Sequence, residues 1–152
     1  YLDLLKNVYP GLRTAICVVD YVIKGFETTE AAEVFKTRPQ NLSLNELYLV
    51  ANTREAGSTE FIEVFETAVR MYPEDEIANL NAALAALQNR NTAAAERYLQ
   101  KITNGNTNLP EYHNAKGALA LMKQDYAAAE RFFRLAADAG LEAARKNLEL
   151  LP

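Results

Sequence analysis

Two stretches decide the fold: Ala93-Ala94-Ala95-Glu96-Arg97-Tyr98-Leu99 and, 34 positions later, Ala127-Ala128-Ala129-Glu130-Arg131-Phe132-Phe133. The same step superposes Leu87 on Leu121, reaches back from Leu99 to Phe65, and joins Ala68, Ile102 and Ala136 into one series. An alanine-rich string alone recurs by chance, but large and small apolar positions held in register across three segments do not. A sequence that repeats at this length builds one packing unit several times over, and each unit buries its apolar face against the next.

The chemistry of helix starts and stops places the elements between these marks. Ser43-Leu44-Asn45-Glu46 has the capping-box form, in which a hydroxyl and a carboxylate satisfy the free amides of a first turn, and it opens a helix running to about Thr53. Gly57-Ser58 turns the chain into a second helix through Phe61, Phe65 and Val69, which Tyr72-Pro73 ends because the residue before proline disfavours helical geometry. Asp75 caps a third at 75–89, a fourth follows at 92–103, and Asn104-Gly105-Asn106 makes a turn. Pro110 suits the first turn of the next helix, another spans roughly 125–138, Gly140 stops it, and Leu141–Leu151 closes the stack.

At these residues the chain resembles tetratricopeptide-repeat proteins over roughly 42–138 plus the closing helix. Gly117, Ala129, Phe133 and Ala136 match the small and large packing positions of that family, and Pro73 its end-of-repeat proline. Phe132 to Gly140, followed by Ala143 and Leu148, is similar to the Sel1-like branch. Three departures mark the pattern: Phe61 stands where a small residue is usual, the turn around Glu55-Ala56-Gly57 differs by a residue, and Thr107 replaces a second proline. The implied fold is mostly α, a tetratricopeptide-like superhelix of about three hairpins preceded by a short β segment.

That β segment is the β-branched run at 13–23, between Pro10-Gly11 and Gly25. A lone strand leaves its backbone groups unpaired, so the expectation is a homodimer through 13–23, pairing with an upstream domain, or an unrecognised hairpin partner. Residues 1–27 thus read as a helix-and-strand segment, the end of an upstream domain, and 28–152 as the repeat domain, with Thr29–Lys36 covering its first end. Val8 to Arg13, Thr29-Glu30-Ala31-Ala32 and Pro39 to Glu46 more weakly resemble the tail of bacterial OmpA-like envelope proteins. That resemblance implies a periplasmic or outer-membrane-associated location for the parent protein.

Composition narrows the function. The 152 residues are 49% hydrophobic and 24% charged with a net charge of −4, which excludes a disordered chain. Sixteen basic against twenty acidic residues, with no long basic run, supply no footprint for nucleic acid or an anionic membrane, and no apolar run approaches a membrane span. Cys17 among Ala15, Ile16, Val18 and Val19 reads as a small buried hydrophobe. His113 is the single imidazole and has no evident partner, Glu74-Asp75-Glu76 sits where acidic groups favour a helix start, and neither ligand spacing for a metal nor a glycine-rich phosphate loop appears. Asn41-Leu42-Ser43 matches a glycosylation sequon, but Ser43 already serves as a cap. The expectation is no enzyme, no cofactor and no metal.

What remains is surface display. The family's inner-face positions carry over, residue by residue, to Ile77, Leu80, Leu84 and Gln88 from one repeat and Glu111, Asn114, Ala118 and Met122 from the next. These imply an apolar groove for a protein or peptide partner, and they lack the lysines and arginines of a peptide-carboxylate clamp. The competing reading packs Leu80, Leu84 and Leu87 in the core, with the repeats docking to their own upstream domain or to one another.

Overall fold

In the computed structural model, residues 24–103 and 106–152 are described, and among them the chain forms α-helices and two short 3-10 turns with no strand. The expected strand at 13–23, the dimer contact assigned to it and Cys17 all lie outside the described residues. The helices are α1 (Thr28–Thr37), α2 (Leu44–Asn52), α3 (Thr59–Met71), α4 (Glu76–Gln88), α5 (Thr92–Leu99), α6 (Pro110–Met122), α7 (Tyr126–Asp138) and α8 (Glu142–Glu149). Each packs on its neighbours in sequence, and α4 also packs on α6. Three antiparallel pairs, α2 with α3, α4 with α5 and α6 with α7, therefore stack in order.

The periodic positions behave alike. Phe65, Leu99 and Phe133 are 8%, 3% and 0% exposed, and Ala68, Ile102 and Ala136 are buried as well. The period also extends one step earlier than the repeated strings suggest. Ala31, Val34 and Pro39 stand 34 positions before Phe65, Ala68 and Pro73, and Ala31 and Val34 are buried. So α1 occupies the register of a second helix, packed on α2 as α3 packs on α4.

The caps explain where the helices begin. Ser58, Asp75, Asn91 and Asp125 each accept a hydrogen bond from the backbone amide three residues on, at Phe61, Ala78, Ala94 and Ala128. The ends of α4, α6 and α7 share a second device. Asn91, Asp125 and Leu141 donate their backbone N–H to Ala86, Ala120 and Ala136, a Schellman arrangement that satisfies a carbonyl of the last turn. It needs a left-handed residue just before the donor. Gly140 takes that role at φ 96°, as its sequence position suggests, but Arg90 (φ 55°) and Gln124 (φ 63°) do so in the other two turns.

One helix and one connection differ from what the sequence suggests. Instead of reaching residue 103, α5 ends at Leu99, because the Glu76 carboxylate accepts the Thr103 amide at 2.7 Å and the Asn106 side-chain amide at 2.6 Å, drawing the chain toward the start of α4. The connection of α2 to α3 spans 53–58, longer than the three-residue turns at 89–91 and 123–125. Phe61, large where a small residue is usual, is accommodated edge-on to Phe65, with ring centroids 4.8 Å apart.

Glu46 joins the first two helices. Its carboxylate accepts the Ser43 hydroxyl and backbone amide, both at 2.7 Å, and the Phe26 amide at 2.6 Å, while the Ser43 hydroxyl accepts the Glu46 amide. The Ser43 hydroxyl, the Ser43 amide and the Phe26 amide, in that order, hold this carboxyl below its ordinary value of 4.5, against the opposing effect of burial. A lowered folded-state value means that the stabilisation is complete above the ordinary range and is lost as pH falls through the lowered one. We expect Glu46→Gln to be less stable than the parent at neutral pH and the gap to close on acidification, read from urea melts between about pH 7 and about pH 3. A gap independent of pH is the outcome that contradicts this assignment.

Candidate functional site

The inner-face positions sit on α4 and α6, the first helices of two successive pairs, and α4 is buried on most of its sides. Of α4, Ala78, Asn79, Leu80, Ala82, Ala83, Ala85, Ala86 and Leu87 are buried, because α3, α5 and α6 all pack on it. Only a narrow strip is left. Ile77 at its start is 39% exposed, Gln88 at its end is exposed, and Leu84 between them is half-buried against the core. Leu80 is 4% exposed and belongs to the core with Leu87, so of the three leucines weighed as core two are fully within it.

On α6, Glu111 is exposed, Met122 is 41% exposed, and Ala118 is half-buried between two core clusters. Asn114 is engaged. Its side-chain oxygen accepts the Asn147 amide of α8 at 2.9 Å, so the closing helix takes the position where a next repeat would lie. Gln88 adjoins the connection between α2 and α3, its side-chain oxygen 3.8 Å from where a Cβ on Gly57 would stand. The surface that stays open is therefore Ile77, Leu84, Ala118 and Met122, with Gln88 and Glu111 beside them. It carries one charge, which is negative.

His113 lies on another side of α6. Its ring stacks on Phe132 with centroids 6.4 Å apart and meets Tyr112 edge-on, and its Nδ1 is buried without a hydrogen-bond partner. Burial pushes its pKa down and the Lys116 charge pushes it further. The half-buried imidazole packs through its ring, on Phe132 and against Tyr112. Among the described residues no group of His, Cys, Asp and Glu side chains is arranged to hold a metal, and no helix is long and apolar enough to cross a membrane.

Residues 52–119 match the tetratricopeptide repeat family, a span that begins at the end of α2 and runs into α6. The matched span is under half of the chain, and with three stacked helical pairs in register it supports a tetratricopeptide-like helical fold. No curated protein and no solved structure matches the chain, and the weaker resemblance to OmpA-like tails draws no support there. The tetratricopeptide-like match includes α4 and α5 whole but stops short of α7, whose Phe133 and Ala136 continue the same register. Such repeats generally mediate protein–protein interaction, and the strip on α4 and α6 is one of several places where large apolar side chains stand in water, beside Leu49, Tyr126, Leu135 and Leu150.

Proposed function

We propose that the chain is a non-enzymatic interaction or assembly module that binds an apolar segment of a partner protein along the inner faces of α4 and α6. One observation carries the reading: Ile77 and Met122, both about two-fifths exposed, lie on adjacent first helices with half-buried Leu84 and Ala118 available between them. Large apolar side chains left in water on neighbouring elements favour a partner that removes them from it. With Glu111 as the single charge and Asn114 already bonded to Asn147, the strip suits neither a terminal carboxylate nor a phosphate.

The test exploits the exposure of the two end residues. Ile77→Glu with Met122→Glu alters the strip without touching the core, so the variant is expected to melt as the parent does. In a pull-down from a bacterial cell-envelope extract, the prey pool that the OmpA-like resemblance suggests, it is expected to lose a partner that the parent retains. A partner profile identical in the two proteins defeats the groove reading. If the variant instead changes only the sedimentation behaviour of the chain itself, the strip serves self-docking.

A further inference from the structure

The seam between α6 and α7 holds two cations on one aromatic ring. Lys116 Nζ lies 5.4 Å from the centroid of Phe132 and 5.6 Å from that of Tyr112, and the Arg131 guanidinium lies 4.9 Å from the same Phe132 ring. Among the described residues neither forms an ion pair, whereas Lys36, Lys123, Arg134 and Arg145 each face a carboxylate. His113, stacked on that ring with Nδ1 unbonded, brings no negative charge. Beside Lys116 and Tyr112 opens a cleft of about 160 Å³, lined also by Leu99, Gln100, Ile102, Leu119 and Glu96, and its one carboxylate, Glu96, is bonded to Lys123 at 2.7 Å.

A cation resting on a ring face is held in place yet keeps outward N–H groups free. Two such cations at one ring leave positive charge there that no carboxylate offsets, and an anion arriving beside them gains charge-assisted hydrogen bonds. Half-burial of Lys116 strengthens the attraction beyond that of a fully solvated lysine. We infer that this seam is a second recognition site, taking side-chain carboxylates of an acidic peptide segment. It stands independently of the strip on α4 and α6, since none of its residues belongs to that strip.

The probe is hexaglutamate, titrated into the isotope-labelled chain at low salt and followed by NMR, with hexalysine and inorganic phosphate in separate arms. Saturable shifts centred on Lys116, Arg131 and His113 are expected with hexaglutamate alone, fading as salt is added. Lys116→Gln with Arg131→Gln keeps most of each side-chain stem and is expected to weaken binding about tenfold or more, while Lys116→Arg, which keeps the charge, retains it. Shifts that survive in the double variant, that spread over unrelated surfaces, or that phosphate alone reproduces would overturn the assignment.

Discussion

Phe133→Ala is expected to cost about 3–5 kcal/mol, the range for removing a large ring from a packed interior. The ring is fully buried, and three helices depend on it: Ala120 and Leu121 of α6, Ala128 and Ala129 of α7, and Leu148 of α8 with Leu151 just beyond it share its cluster. Because each pair in a stack touches only its neighbours, the damage should stay local. Amide exchange is expected to quicken through α6, α7 and α8 while α2 and α3 keep their protection. A loss under about 1 kcal/mol, or exchange rising evenly along the chain, would contradict the serial architecture.

The sequence reveals this architecture unevenly. Capping chemistry is local, so Ser43, Ser58, Asp75 and Gly140 announce their helix ends directly. Arg90 and Gln124 do not, because their side chains show no preference for the left-handed geometry they adopt. That geometry is imposed by the Schellman bonds and by the tight packing of α4 on α5 and α6 on α7. The earlier turn of the repeat in α1 is hidden for another reason. Ala31 stands where Phe65, Leu99 and Phe133 are large, and only Pro39 with Pro73 hints at the register.

Recognition surfaces are harder to read still. Family positions place eight residues on the inner face, but burial separates them: α4 is enclosed on several sides, leaving Leu80 in the core and Ile77 in water, and no periodicity distinguishes the two. The cation pair on Phe132 escapes sequence reasoning altogether, since Lys116 and Arg131 lie on different helices. The signal available to find it was Lys116 standing where the preceding repeat has Ala82.

Gly117→Ala is the sharper test of the same packing, because helix propensity argues for the opposite sign. In an exposed helix interior the change gains about 1 kcal/mol. Here the added Cβ would stand 2.5 Å from Cδ1 and 2.6 Å from Cε1 of Phe133, a ring with no room to retreat. Overpacking of this kind costs about 1–3 kcal/mol, so the single variant is expected to melt earlier than the parent. One period upstream the equivalent positions hold Ala83 and Leu99, both buried, which shows the alternative solution: a Cβ on one helix and a smaller side chain on the other. Gly117→Ala combined with Phe133→Leu should therefore be more stable than the sum of the two single changes by at least about 1 kcal/mol. Strict additivity in that double-mutant cycle would mean that the two positions do not meet, and the equivalence of successive repeats would lose its physical basis.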